Sequence, residues 1–140
     1  MRTVTDDTGR HLLLIAESSD ASRVRDPETG EEFYVENDRL SHVDGESTFE
    51  TVARSVDEPV RKLLSAVHTE WALGLLIHLD ENGPVSAREL METDDKCEST
   101  LYGTISEFRA AGLVVEADVF GERGYRTTER ASAALHQLRG

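Results

Sequence analysis

Apolar residues recur with two different periods along this chain, and the change from one to the other falls near residue 45. Before that point they form short runs rich in β-branched and aromatic residues, separated by Gly, Pro and Asp. Such runs predict β-strands at 11–16, 23–25 and 33–35, with a candidate fourth strand at 40–43 and a hairpin turn at 26–30. The first part of the chain therefore predicts a small antiparallel β-sheet.

Beyond residue 45 the apolar residues lie three and four positions apart, which is typical of helices with one buried face. Ser47 is placed to cap a first helical segment, Pro59 to open a second, and Thr69 to cap a third at 70–79. The apolar stripe of the third helix is predicted to be core and consists of Trp71, Leu75, Leu76 and Leu79. The alternative for the tryptophan is that it stacks on a ligand.

The strongest local signals lie between residues 83 and 128. Ser86 and Glu89 have the spacing of a capping box, in which a hydroxyl and a carboxylate satisfy free N–H groups at a helix start. Asp95 and Glu98 offer the same cap to a second helix, which continues to residue 111. An apolar strand begins at 113, a turn follows at 120–124, and a partner strand returns at 125–128. This order of elements describes a winged helix.

These elements divide the chain into three parts. We predict a small β-sheet domain over 1–45, linking helices over 46–68, and a winged helix-turn-helix domain over 69–140. The turn at 44–47 is the predicted boundary after the sheet. The predicted fold class is α+β, with the winged helix preceded by the N-terminal antiparallel sheet.

The C-terminal half resembles a known family. The run SEFRAAGLVVEADVFGERGYRTTERASAAL is similar to the end of the recognition helix, the wing and the final helix of winged helix-turn-helix transcriptional regulators, and ALGLLIHLDENGPVSARELME is similar to their first two helices. The resemblance implies binding to double-stranded operator DNA, often as a homodimer. Fold alone does not establish that function.

By the same resemblance, one side of the predicted 96–111 helix faces the DNA groove. The residues on that side are Lys96, Ser99, Thr100, Tyr102, Gly103 and Ser106. None of them makes the bidentate Arg–guanine or Asn–adenine contact that supplies most direct base readout. Gly103 indicates a close approach in mid-helix, either by the DNA backbone or by a neighbouring helix.

The predicted wing, 116–127, supplies the basic side chains. Arg123 and Arg126, and with less support Arg130, are placed to contact a minor groove or flanking phosphates. The acidic residues interleaved with them are Glu116, Asp118, Glu122 and Glu129. The alternative is therefore a solvated hairpin whose opposite charges pair with one another.

Charge complicates the prediction of DNA binding. The chain carries 28 acidic and 15 basic residues, a formal net charge of −13, and its only lysines are Lys62 and Lys96. An acidic balance normally argues against nucleic acid. Abundant carboxylates with almost no lysine also resemble haloarchaeal proteins, which work in molar salt. Because molar salt weakens the electrostatic part of DNA binding, net charge discriminates poorly between a binder and a non-binder there.

Other classes of function have little support. The five histidines are scattered without metal-ligand spacing, no phosphate-binding loop is present, and no catalytic, cofactor or metal site is predicted. No long apolar run or targeting segment appears, so we expect a cytoplasmic protein without a membrane partner. The single cysteine, Cys97, lies at a predicted helix start, where it is either a redox-sensing thiol or simply a small residue near a cap.

The sequence thus favours a dimeric DNA-binding regulator over an enzyme. We expect the dimer contact on an Ala/Leu face of the final helix, formed by Ala131, Ala134, Leu135 and Leu138. The alternative is a winged-helix protein–protein interaction module without direct DNA binding. The N-terminal sheet is interpreted as a brace, with a protein partner or a small-molecule effector as alternatives.

Overall fold

The computed structural model describes residues 1–140 and divides them into two units, Met1–Asp57 and Glu58–Gly140. The segment predicted as linking helices, 46–68, is shared between these units. The sequence-based division into three domains remains a prediction.

The first unit is a five-stranded antiparallel sheet with one short helix. Its strands are β1 (Arg2–Thr5), β2 (His11–Glu17), β3 (Ala21–Arg25), β4 (Glu32–Glu36) and β5 (Ser41–His42), and its helix is α1 (Thr48–Val52). The strand order is β4-β3-β2-β1-β5. Its buried core consists of Val4, Leu12, Leu14, Val24 and Val35. The sequence did not predict β1, whose four residues are too few to show a period.

Glu46, in the turn predicted to be a domain boundary, makes a network of contacts inside this unit. Its carboxylate accepts hydrogen bonds from Arg54 at 2.7 Å and from Thr51 at 2.6 Å, and it lies 3.1 Å from His11 Nδ1. The hydrogen bond from Arg54, opposed by burial and assisted by Thr51 and His11, lowers the pKa of Glu46 to about 2. The turn therefore joins α1 to β2 within the first unit, Met1–Asp57.

The second unit has the predicted order of a winged helix. Its elements are α2 (Glu58–Ala66), α3 (Glu70–Asn82), β6 (Val85–Ser86), α4 (Ala87–Thr93), α5 (Glu98–Ala110), β7 (Val114–Val119), β8 (Glu122–Thr127) and α6 (Glu129–Arg139). The strands form a sheet in the order β6-β8-β7. This arrangement, preceded by the N-terminal antiparallel sheet, confirms the predicted α+β fold class.

Side-chain caps begin two of these helices, α3 and α4, where the sequence predicts them. Ser86 Oγ accepts from the Glu89 amide at 3.1 Å, and Thr69 Oγ1 accepts from the Ala72 amide at 3.0 Å. The predicted cap at Asp95 is wrong. Helix α5 begins at Glu98 and its N-cap is Cys97 in an extended conformation, so Asp95 lies outside the helix.

The predicted dimer face on the final helix is also wrong. Ala131, Ala134 and Leu135 are 0%, 0% and 1% exposed and belong to the core of this unit, because α6 packs against α2. Only Leu138, at 51% exposure, faces solvent.

The stripe on α3 is buried only in part. Leu76 and Leu79 are fully buried, as expected, whereas Trp71 and Leu75 are half-buried. The helix therefore presents an aromatic and an aliphatic side chain at the edge of the core.

The hairpin turn is tighter than predicted. It consists of Phe120 and Gly121 alone, because Val119 and Glu122 are already paired. Gly124, expected at the tip, lies within β8, where a Cβ atom would stand 2.5 Å from the carbonyl oxygen of Val85. Glycine at this position allows β6 to approach β8.

Candidate nucleic-acid interface

Helix α5 is amphipathic, with apolar side chains on one face and polar side chains on the other. Leu101, Ile105 and Phe108 are at most 4% exposed and hold the helix to the core. The predicted groove-facing residues of the helix lie on its accessible side: Ser99, Thr100, Gly103 and Ser106 are exposed and Tyr102 is half-buried. Four hydroxyl groups are thus presented around one glycine.

No other element of this chain lies close to the side-chain position of Gly103. A Cβ atom built there would meet nothing within 4 Å, so the explanation by a neighbouring helix of the same chain is wrong. Glycine in mid-helix costs about 1 kcal/mol relative to alanine. The remaining explanation for glycine at position 103 is a close approach by another molecule, such as the DNA backbone.

The wing and α5 meet through a cation–aromatic contact. The guanidinium carbon of Arg123 lies 5.8 Å from the centre of the Tyr102 ring. A hydrogen bond with Tyr102 raises the pKa of Arg123 above its ordinary value, so the side chain stays charged. The contact brings one predicted wing residue beside one predicted helix residue.

The acidic residues of the wing do not pair with its predicted DNA contacts. Glu122 bonds to Arg88 of α4 at 3.0 Å, and Glu116 lies 3.5 Å from Arg109 of α5. Asp118 is directly opposite Arg123 in the strand register, yet the two form no ion pair. The predicted alternative, a hairpin whose charges pair with one another, therefore does not describe Arg123.

The other two wing arginines differ from each other. Arg126 is exposed and donates a long hydrogen bond of 3.5 Å to the carbonyl oxygen of Thr127. Arg130, on α6, pairs with the carboxylate of Glu58. Arg123 and Arg126 thus remain without carboxylate partners, and Arg130 does not.

Lys96 lies apart from these residues. It precedes α5, is exposed, and places its ammonium 5.9 Å from the centre of the Trp71 ring. It also lines a cavity with Trp71. The structure therefore groups Tyr102 with Arg123 but places Lys96 with another aromatic side chain.

Phe120 is a feature of the wing that the sequence did not mark as functional. Its side chain is 102% exposed, and its backbone φ of 50° is followed by 84° at Gly121. Two positive φ values give a type I′ turn, whose first position favours Asn or Gly. A phenylalanine in that conformation costs stability, and its fully exposed ring recovers none of that cost through burial. The signal in the sequence is an apolar residue at a two-residue hairpin turn.

Cys97 is exposed at the N-cap of α5. Its Sγ lies 3.3 Å from Ser99 Oγ and 3.0 Å from Thr100 Oγ1. Hydrogen bonds from these hydroxyls lower the thiol pKa to about 7. Two predicted groove-facing hydroxyls therefore already contact the sulfur.

Neither a metal-binding cluster nor a membrane-spanning helix is found. The acidic, histidine and cysteine side chains form no group able to hold a metal ion. None of the helices combines the length and apolarity needed to cross a bilayer.

Comparisons with known proteins give one matching family and two similar solved structures. The family described as "Family of unknown function (DUF7346)" matches residues 1–139. The transcriptional regulator HlyU from Vibrio vulnificus CMCP6 is similar in structure, with a TM-score of 0.50 and 24% identity over 62% of this chain and 91% of that one. An ArsR-like transcriptional regulator from Rhodococcus sp. RHA1 has a TM-score of 0.47 and 20% identity over 58% of this chain and 76% of that one. No protein of curated function matches the chain.

Proposed function

Since this chain belongs to the DUF7346 family, whose function is unknown, we propose from the geometry of its second unit that it is a transcriptional regulator that binds double-stranded DNA. Helix α5 enters a groove and the β7–β8 hairpin, the wing, contacts the flanking backbone. Similarity to solved regulators supports the fold on which this proposal is built.

The observation that carries the proposal is that two arginines of the wing have no carboxylate partner. The chain has 28 acidic residues against 15 basic ones, so carboxylates are plentiful. Even so, Arg123 and Arg126 form no ion pair, while Glu116 and Glu122 beside them pair with arginines of α5 and α4. Two unpaired guanidinium groups on one exposed hairpin suit contact with phosphate oxygens.

Each part of the surface has a distinct role in the proposed complex. Arg123 and Arg126 hold phosphates, and Phe120 projects from the wing tip as an apolar wedge for a minor groove. The hydroxyls of Ser99, Thr100, Tyr102 and Ser106 donate to phosphates or base edges. Gly103, with open space before it, lets the DNA backbone come close to the helix.

Fluorescence anisotropy with the protein's own promoter DNA tests this proposal, at KCl concentrations from moderate to molar. Replacing Arg123 or Arg126 by Ala removes a phosphate contact, so affinity should fall about five- to tenfold in moderate salt for every DNA sequence alike. The loss should be smaller in molar salt, because screening weakens this term. Changes at Tyr102 or Ser106 should instead alter sequence preference.

Arg139→Ala is the matched control, since Arg139 lies in the same unit but 3.7 Å from Glu81 on α3. It should bind DNA like the parent. If the double variant Arg123→Ala/Arg126→Ala binds as tightly as the parent, the wing does not contact DNA.

A second candidate function is a protein–protein interaction module, which the complete exposure of Phe120 favours. In that case Tyr102→Ala and Phe120→Ala disrupt a protein complex while DNA binding is absent in the parent. Copurification from the native cell extract, compared with and without nuclease treatment, separates the two functions.

We also propose that the protein is a homodimer, with the contact on exposed leucines rather than on the buried face of α6. Leu64 of α2 and Leu138 of α6 are 59% and 51% exposed, on two helices that pack against each other. Replacing both by Glu should shift sedimentation toward the monomer without unfolding the unit. The same change at Met91, 39% exposed on α4, should leave the dimer intact. A parent protein that sediments as a monomer at every concentration would refute this proposal.

A further inference from the structure

A cavity of about 360 Å³ lies between α3, α4 and the segment that leads into α5. Its apolar walls are Trp71, Leu75, Leu90 and Leu101. Asp94 and Lys96, from the turn between α4 and α5, supply charges at its edge. An apolar cavity of this size with a few polar groups has the character of a small-molecule site.

The polar groups of the cavity are organised around the indole of Trp71. The indole N–H donates to the carboxylate of Asp94, and the Lys96 ammonium lies 5.9 Å from the ring centre. A cation over an indole face beside a carboxylate is how proteins bind organic ammonium groups. Lys96 itself supplies that cation here.

The polar lining residues are His78, Thr93, Asp94 and Lys96, and the carboxylates next to Lys96 favour a cationic ligand over an anionic one. Asp94, Asp95 and Glu98 surround Lys96 in the sequence and all three are exposed. Lys96 is attracted to the Asp94 carboxylate but forms no salt bridge with it, and its long side chain can turn the ammonium out to solvent while its aliphatic part stays in the cavity. Once it does so, the indole face and the Asp94 carboxylate are available to another cation.

We propose that this cavity binds a small organic cation with an aromatic or aliphatic body and one ammonium group. The body lies against Leu75, Leu90 and Leu101, and the ammonium replaces that of Lys96 over Trp71. Lys96 and Leu101 flank the start of α5, so binding alters the position of the helix proposed to read DNA. That effector role rests on the proposed function, whereas the binding itself does not.

Trp71 is the only tryptophan of the chain, so its fluorescence reports directly on the cavity. The probes are three molecules with the same phenyl body: 2-phenylethylammonium, neutral 2-phenylethanol and anionic 3-phenylpropionate. The cation should change the emission saturably, with half-saturation on the order of 1 mM, as suits so small a ligand. The anion should bind at least about tenfold more weakly. The proposal fails if no probe saturates, or if the neutral or anionic probe binds as tightly as the cation.

Three variants sharpen the test. Gly74→Leu should abolish binding, because a Cβ at this lining residue meets nothing within 4 Å and the new side chain occupies the cavity. Gly103→Leu, the same change at an open position of α5 outside the cavity, is the control for probe binding alone and should bind 2-phenylethylammonium as the parent does. Asp94→Asn should weaken the cation severalfold, whereas Asp95→Asn should have little effect.

Lys96→Met gives the most discriminating result. It removes the ammonium that competes for the indole face, so the cationic probe should bind more tightly than it does to the parent. A site for anions would instead lose affinity in this variant. Weaker binding of the cation to Lys96→Met would overturn the proposed arrangement.

The effector role is tested separately by adding 2-phenylethylammonium to the DNA titration. A change in DNA affinity that Gly74→Leu abolishes supports it, and an unchanged affinity with the cavity saturated refutes it. If the parent binds no DNA, the fluorescence titration still decides whether the cavity is a ligand site.

Discussion

Phe120 occupies a backbone conformation that other residues adopt at lower cost. Its φ of 50° opens a two-residue turn, and its side chain contacts solvent alone. We expect Phe120→Asn to raise the free energy of unfolding by about 1 kcal/mol, because Asn is favoured at this position of a type I′ turn. The same substitution should weaken DNA binding if the phenyl ring inserts into a groove. Thermal denaturation and anisotropy measure the two effects.

The control for Phe120 is Val119→Thr, a change in the adjacent strand that leaves the turn conformation intact. It should alter neither quantity by a comparable amount. An asparagine variant with unchanged stability and unchanged DNA affinity would show that neither strain nor function resides in this residue.

Cys97 allows a prediction about reactivity. Hydrogen bonds from Ser99 and Thr100 lower its thiol pKa to about 7, so the thiolate fraction should rise steeply between pH 6 and 8. The rate of alkylation by iodoacetamide should follow that rise. Replacing both hydroxyl residues, Ser99→Ala and Thr100→Val, should move the midpoint upward. A parent midpoint above pH 8 would mean that the hydroxyls do not stabilise the thiolate.

At the scale of the elements, two glycines with opposite surroundings give a matched pair of substitutions. Gly103→Ala places a methyl group in open space within α5 and should stabilise the protein by about 0.5–1 kcal/mol. Gly124→Ala forces a methyl group to within 2.5 Å of the Val85 carbonyl oxygen and should destabilise it by about 2 kcal/mol. Chemical denaturation of both variants tests the pair. If both changes have the same sign, the close packing of β6 on β8 is not what requires glycine.

The sequence predicts elements that depend on neighbours along the chain. The caps at Ser86 and Thr69 are confirmed, because a hydroxyl and an amide three residues away meet through local geometry alone. The order of helices, strands and turn in the winged helix is confirmed for the same reason. The Asp95 cap is wrong because the helix begins two residues later than its spacing indicates, at an N-cap, Cys97, that makes no side-chain capping hydrogen bond.

Features that depend on distant neighbours were not predictable. The Ala/Leu face of α6 looks like a free surface in the sequence, and only the packing of α2 shows that it is core. Likewise, periodicity places Trp71 among core leucines, but the residue is only half-buried and its indole donates to Asp94 in the turn between α4 and α5, a contact between residues 23 positions apart. At the candidate site, the exposure of the α5 hydroxyls could be predicted, because it follows from the helical period. The absence of ion pairs at Arg123 and Arg126 could not, because it depends on Glu116 and Glu122 pairing with arginines of other elements.

At the scale of the whole molecule, two carboxylates make the first unit sensitive to acid. Asp6 is buried, which opposes ionisation, but hydrogen bonds from Thr8 and Arg10 prevail and lower its pKa to about 2. Glu46 has a pKa of about 2 for the reasons given above. Both values are depressed on folding, so the stability they supply is present above the unfolded pKa, near 4, and is lost as the pH falls toward 2.

We therefore expect the first unit to lose about 2 kcal/mol of stability per carboxylate between pH 4 and pH 2. Hydrogen exchange of the β2 and β3 amides measures this loss. Asp6→Asn and Glu46→Gln should each reduce stability near neutral pH and flatten its dependence on acid. Parallel pH profiles for parent and variants would assign the acid sensitivity to other groups.

Salt should act on both units. A formal charge of −13 makes the folded chain repel itself, and dissolved ions screen that repulsion. We expect the melting temperature to rise from dilute buffer to molar KCl, as in a protein adapted to high salt. A flat or falling melting temperature would remove that interpretation and turn the acidity into an argument against DNA binding.

The contrast between the two ends of the wing has a practical consequence. At its base, Gly124 leaves no space for a side chain beside Val85, whereas its two-residue tip meets only solvent. The hairpin is therefore a site for loop grafting, because its base is packed against β6 and its turn is exposed to solvent. Loops of another length or composition can be installed between Val119 and Glu122 without disturbing the packed sheet beneath. A library of such loops would turn this small scaffold into a source of binders with altered target choice.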